Sequence, residues 1–463
     1  MSIVPESTPI EALSENALAT RFDHFDQSTV ENAKKRIIDV LGCLIAGANA
    51  PGNSALIDLV KTWGGRKEAT ILIHGNRAPA QNVAMVNSIM ARSLDFEVTN
   101  VWIEGTKIPS HHGATTVTTA LSMGETKGIN GKEFITALLV GDDICARMIA
   151  ASGFDFTLGW DGTGTVSAFG ATAIAGRILG LNQLQIKNSF GILVSLLAGS
   201  FQTVWDAATT FKLHQGMAAR NAIFAAELAR AGWTGLRDPL LSQFGYYPLY
   251  TRGCVNPEIL TRDLGKKFYA EASFKRYPCC LQNYPGIECA LALIHKKDIS
   301  AEEIEEVTVR MPRRFLDSYL GQPFSIGDFP QANAVFSYQY GVATALLRKG
   351  VRPEHFGEAS IRDPQVNALI AKTRLTELPE KDTYAAEVKV RMSDGREFSE
   401  STDAPKDDPI RDPMSKEEII GKFMANVDFS QTVTKNNAKE LLNRLENLED
   451  IHDVKTLVRL LVA

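Results

Sequence analysis

The sequence predicts a mainly α protein: a large all-helical domain built from both ends of the chain, with a smaller α+β domain inserted. Three observations lead there. Apolar residues recur at spacings of three and four through most of the first 266 residues. Alternation with period two begins only after about Lys266, and helical spacing returns beyond a Pro- and Asp-rich linker that starts at Asp403. The expected domains are residues 1–266 and 403–463 for the helical part and 267–402 for the α+β part. A chain of 463 residues is long enough for two cores, since one core stops growing near ~250–300 residues.

The first clear helix runs from Val30 to Ile45, where Val30, Ala33, Ile37, Val40, Leu41 and Leu44 form a stripe and Ser28 with Glu31 offers a capping box. Comparable stripes lie at about Gln81–Arg92, Val117–Met123, Gly131–Ala151, Thr165–Leu179, Gln183–Leu197 and Met217–Ala231. Small residues crowd some of them, as in "SAFGATAIAGRILG" from Ser167 to Gly180, so those helix axes are expected to approach closely. In the α+β part, "EEVTVRMP" from Glu305 and "AAEVKVRMSDGREFSEST" from Ala385 alternate as strands, with a hairpin turn at Ser393–Gly395. Helical runs at Gly286–Ile294 and Gly341–Leu347 accompany them. A capping box at Ser415 and Glu418 and the run "AKELLNRLENL" resume the helical pattern.

Composition excludes several classes of function. Apolar residues make up 44% and charged residues 22%, which is ordinary for a globular protein. A net charge of −5 argues against a nucleic-acid partner, and an anion site must then be a local cluster of cations. The longest apolar run, Phe190 to Gly199, is about half of the ~20 residues a membrane span needs. Six cysteines without a CxxC pair fit a reduced compartment, and the first residues resemble no leader peptide, so a cytoplasmic location is expected. "DGTGTVS" from Asp161 looks like half of a dinucleotide loop, but Ser167 stands where a third glycine is needed and no strand precedes it.

Chemistry concentrates in "LDFEVTNVWIEGTKIPSHHGATT", Leu94 to Thr116, where carboxylates, threonines and adjacent histidines share a Gly- and Pro-interrupted loop. His111 and His112 make a poor metal pair, because adjacent side chains in an extended loop diverge and no HxxxH or Cys-rich partner exists. Four further polar islands interrupt apolar helical context: "GWDGTGT" from Gly159, "TTFKLHQGMAARN" from Thr209, "SFKRYPCC" from Ser273 and "FSYQYGVATALL" from Phe336. Cys279 and Cys280 read as packing residues.

In this order and spacing the islands resemble the MmgE/PrpD family of 2-methylcitrate dehydratases, cis-aconitate decarboxylases and iminodisuccinate epimerases, over nearly the whole chain. The resemblance implies that the inserted domain is a lid and the protein a homodimer. It also implies a site in the cleft between domains, with neither metal nor organic cofactor. Carried over residue by residue, LDFxxT matches Asp95 and Thr99, the histidine after that loop matches His112, the lysine before YPCC matches Lys275, and FSxxY supplies Tyr340. The loop before His112 is several residues longer than in the family. Two columns depart from the pattern. Asp161 stands where most members have a histidine, and in "TFKLHQG" Phe211 fills the lysine column while Lys212 lies one residue nearer His214.

The implied reaction makes or quenches a carbanion beside a carboxylate of a small di- or tricarboxylate. That chemistry needs a base, cations for the developing charge and an acid. His112 is expected as base or acid, Asp95 as its partner, Lys275 as a cation and Tyr340 as a proton donor. Thr99, Asp161, Lys212 and His214 are expected to bind substrate, with Asp161 alternatively a helix cap. Asp161 and the shifted lysine point to an altered ligand. Two classes of function follow: a lyase or epimerase of this type, or a diverged member that binds a carboxylate or a protein partner without turnover.

Overall fold

The computed structural model describes residues 8–297, 299–379, 384–406, 409 and 411–462. Helices dominate up to Arg230, and a four-stranded sheet lies in the C-terminal half. The helix Gln27–Gly47 begins earlier than its apolar stripe, because Asp26 rather than Ser28 is the cap and accepts a hydrogen bond from Thr29 N. The capping box at Ser415 and Glu418 forms as expected and opens the helix Lys416–Ser430. That helix packs on Gln27–Gly47, where Lys422 Nζ donates to Asp39 Oδ1 at 2.6 Å and to Phe96 O at 2.7 Å.

Glycine sets one close crossing. The helices Gly131–Ala151 and Gly162–Ile178 touch at Gly141 and Gly170, and a Cβ on Gly170 would sit 2.4 Å from Gly141 O and 2.3 Å from Cys145 Sγ. Only the bare backbone fits there.

The sheet is ordered Thr373–Glu377, Ile304–Met311, Ala386–Met392, Glu397–Thr402. The last three strands are antiparallel neighbours, whereas Thr373–Glu377 runs parallel to Ile304–Met311. That edge strand, half-exposed and holding a single large apolar side chain, Leu375, has too little alternation to be read from sequence. The helices Tyr284–Lys296 and Tyr338–Arg348 pack together, with a Cβ on Gly341 only 3.1 Å from Ile287.

Two large hydrophobic cores result, and Cys43, Ala46, Leu94 and Phe96 form a small third cluster. The larger gathers side chains from Ile10 to Ala272 and again from Ile419 to Leu461. The smaller gathers Cys279 to Met392 and also takes in Ala207 and Phe211. Among the described residues no helix is long and apolar enough to cross a membrane.

Candidate active site

The long loop before His112 is shaped by a hairpin. Val101–Ile103 pairs with Thr106–Ile108 across Glu104 and Gly105, whose φ angles of 52° and 78° give the doubly left-handed turn that suits twisted strands. Thr99 then pairs with Ser273, each backbone N–H donating to the other's carbonyl at 2.8 Å. This bridge carries the loop to the segment that holds Lys275. Asp95 itself adopts φ 48°, a left-handed turn that follows the helix Ala80–Arg92.

Asp95 is buried between two cations. Arg92 Nη1 contacts Asp95 Oδ1, and Lys275 Nζ donates to the same oxygen at 2.6 Å and to Asp95 O at 2.8 Å. Burial alone would raise the Asp95 carboxyl, but the charges of Arg92, Lys275 and His111 hold it well below the usual carboxylate range. Glu97 lies alongside, 3.4 Å from Arg92 Nη1, and accepts from His111 Nδ1 at 3.1 Å. Burial opposes its charge too, yet Arg92 and the His111 hydrogen bond lower it.

His111 is therefore the imidazole of this cluster. Burial, and then the Arg92 charge, lower its pKa, while the Glu97 hydrogen bond works in the opposite direction. With Nδ1–H donated to Glu97, the lone pair is on Nε2, 3.4 Å from Thr99 Oγ1. That hydroxyl already donates to Ser110 O at 2.8 Å. Nε2 is thus available as a base.

His112 is displaced from the role expected of it. It caps the helix Gly113–Lys127 behind the cleft and is buried, with Nδ1 2.7 Å from Ser110 Oγ and Nε2 against Arg36 Nη1. A guanidinium only donates, so Nε2 must accept, and both nitrogens are committed. Burial and Arg36 push its pKa well down and keep it neutral. His112 has helical backbone angles, φ −75° and ψ −21°, and does not line the cavity, whereas His111 does.

Tyr340 is likewise displaced. It is buried in the smaller core against Phe324 and Phe356, and its hydroxyl donates to His355 O. Tyr319 and Tyr384 line the cleft instead, and the Tyr319 hydroxyl donates to Gln282 Oε1 at 2.9 Å and lies 3.4 Å from Cys280 Sγ. Burial pushes that phenol well above its ordinary value, so it stays protonated. No motif surrounds Tyr319 in the sequence. Arg92 and Glu97 had a weak signal, a cation three residues before Asp95 and an acid two after it.

Lys212 also misses the cleft. Its ammonium turns toward Pro51 O at 2.7 Å, Asn53 Oδ1 at 2.8 Å and Ser93 Oγ at 3.3 Å, and burial lowers its pKa to about 7. Phe211 faces the cleft instead. Asp161 takes the alternative expected of it, the helix cap, and stands at the cavity wall. Oδ1 caps the helix Gly162–Ile178 by accepting from Thr163 N and Gly164 N, Oδ2 is 3.0 Å from His214 Nδ1, and the residue also lines the cleft. Burial would raise its pKa, but His214, Thr163 and Arg92 hold it far down. His214 sits one layer behind Asp161.

The cavity enclosed by these groups is about 90 Å³ and is lined by Arg92, Asp95, Thr99, His111 and Asp161 on one side and by aromatic rings on the other. Asp95, Glu97 and His111 bring three possible ligand atoms within 4.8 Å of one another, enough to suggest a cation. Arg92 and Lys275 already occupy the Asp95 oxygen such an ion would use, and a divalent ion would sit against two fixed positive charges. The arrangement suits proton transfer beside a carboxylate better than metal binding.

Comparison with known proteins agrees with this architecture. The chain is 27% identical over 459 residues to a cis-aconitate decarboxylase of Homo sapiens, covering 95% of this chain and 91% of the relative. The Mus musculus cis-aconitate decarboxylase is 27% identical over 463 residues with the same coverage, and that of Aspergillus terreus is 22% identical over 469 residues, covering 95% and 93%. Residues 11–257 match the model of the MmgE/PrpD N-terminal domain and residues 277–448 that of the MmgE/PrpD C-terminal domain, so the chain belongs to the MmgE/PrpD family.

Proposed function

We propose that this protein is a lyase that moves protons next to a carboxylate of a small carboxylic acid, with His111 as the central acid/base residue. The observation that carries the reading is the Glu97–His111 pair at 3.1 Å, with His111 Nε2 unencumbered at a cavity that Arg92 also lines. Neutral Nε2 takes a proton from the carbon beside the substrate carboxylate, and Glu97 stabilises the imidazolium that results. The electron pair left on carbon spreads into the carboxylate, where Arg92 opposes the growing charge. If a hydroxyl leaves from the next carbon the reaction is a dehydration. If a carboxylate leaves as CO₂ instead, the pair comes from the broken C–C bond and the imidazolium or the Tyr319 phenol supplies the replacing proton.

Lys275 does not line the cavity; it holds Asp95, and with it the loop, in position. The relatives named as cis-aconitate decarboxylases support the lyase class over simple epimerisation. The rest of the reading follows the family: no metal or organic cofactor, a smaller unit acting as a lid, a cytoplasmic homodimer. Purified protein incubated in D₂O with citrate-like and succinate-like acids tests it. Deuterium entering at a carbon beside a carboxylate, with water or CO₂ released, is the expected result. Ligand-induced stabilisation without any exchange across the panel would sink the catalytic reading and leave a carboxylate-binding protein.

A further inference from the structure

We infer that the cleft selects a small acid with an apolar body, anchored by one carboxylate at Arg92, and rejects tricarboxylates. This rests on the lyase reading only for the reaction, since the selection concerns binding.

Arg92 is the anchor because it is 6% exposed, it lines the cavity, and its Nε has no hydrogen-bond partner among the described residues. A buried guanidinium N–H without an acceptor is costly and calls for one. Its Nη1 is already spent on Asp95 and Glu97, so one carboxylate of a ligand is what remains to be bound. Among the described residues that line the cavity, Arg92 is the one lysine or arginine. Phe211 stands there with its ring 5.6 Å from Arg92 Cζ and edge-on to Phe336 at 5.3 Å, and Phe201, Val204 and Tyr384 extend the same apolar surface. The neighbouring Lys212 faces the other way, onto three oxygen acceptors.

Charge points in the same direction. Asp161 lines the cavity, whereas the nearby carboxylates Asp95 and Glu97 are already paired with Arg92, Lys275 and His111. A ligand carboxylate set against the Asp161 carboxylate is disfavoured by like charge. Size agrees as well. About 90 Å³ is well under the ~300–1,000 Å³ of ordinary ligand pockets.

A matched pair of acids tests the inference. Citraconate differs from cis-aconitate in carrying a methyl group where cis-aconitate carries a carboxymethyl. Calorimetric titration of the full-length protein with each is expected to give citraconate at least tenfold tighter. Asp161→Asn keeps the helix-capping oxygen but removes the charge, and is expected to narrow that ratio at least threefold by improving cis-aconitate binding. Phe211→Lys is expected to narrow it further if its melting temperature certifies folding. Equal or tighter binding of cis-aconitate by the wild-type protein, or failure to bind either acid, overturns the selection. An unchanged ratio in a folded Asp161→Asn variant overturns the role of Asp161. Deuterium exchange on the bound acid is read separately: selective binding without exchange removes the lyase reading and leaves the selection standing.

Discussion

Removing the imidazole of His112 leaves Arg36 buried with one partner fewer and Ser110 Oγ without its ring contact. Deleting one side of such a network costs about 2–4 kcal/mol, so His112→Ala is expected to lower the melting temperature clearly. His111→Ala removes a partly exposed ring that faces the cavity and is expected to abolish turnover while shifting the melting temperature by little. Thermal melts and kinetics on the two variants decide between the neighbours. A stable, inactive His112→Ala beside an active His111→Ala would return the role to His112. Lys212 makes a pH prediction. Its folded pKa of about 7 lies below the ordinary 10.5, so between those values the unfolded chain binds more protons and stability rises with pH. Denaturant unfolding from pH 7 to 9 is expected to show wild type gaining on Lys212→Met by up to ~1.4 kcal/mol per pH unit. The opposite slope would mean that the three oxygens around the ammonium outweigh burial. For the Asp95, Glu97 and His111 group, activity and melting temperature are expected to survive exhaustive chelation, and one stoichiometric metal whose removal ends activity would contradict that.

At the scale of elements, the crossing at Gly141 and Gly170 sets how closely two helices approach. Gly170→Ala would gain about 1 kcal/mol of helix propensity. The added methyl meets Cys145 Sγ at 2.3 Å and a carbonyl at 2.4 Å, and overpacking of this kind costs more than the gain, for a net loss of about 1–3 kcal/mol. Urea unfolding of the variant measures it, and a neutral or stabilising result would mean the two helices can separate freely. The second helix of this pair starts at Asp161, so the crossing also sets where that carboxylate meets the cleft. The same logic applies to the Thr99–Ser273 bridge, which ties the hairpin loop to the Lys275 segment. Elements far apart in sequence are thereby made to share one cavity.

At the scale of the molecule, Phe211 belongs to the smaller core although it precedes the helix Leu213–Arg230 of the helical part, and with Cys280, Leu281 and Phe336 it brings that core to the cleft. Apolar contact as well as the Lys275–Asp95 ion pair thus ties the C-terminal part to the site. The surface carries a second signal. Between Trp233 and Val255 six large apolar side chains are exposed, including Trp233 at 62%, Phe244 at 67% and Val255 at 64%. Such a concentration on one segment is unusual for a monomer and suits a self-association surface. Sedimentation of wild-type protein is expected to give a dimer, and Phe244→Asp with Val255→Asp is expected to shift it toward monomer. A monomeric wild type would remove the dimer reading.

Most helices were legible from their apolar spacing, because period and caps are local properties; Gly131–Ala151 even begins and ends where its stripe does. The alternating strands and their turn at Ser393–Gly395 were legible for the same reason. Asp95, Thr99 and Asp161 were picked out by the family resemblance, and all three line the cavity. Which of two adjacent histidines, which tyrosines and which of Phe211 and Lys212 face the cleft was decided only by tertiary structure. The path of the loop before the histidines depends on the hairpin and on the Thr99–Ser273 bridge, a contact between segments some 170 residues apart that local sequence does not encode. Chain chemistry named the kinds of groups this site needs; packing chose which copies of them reach it.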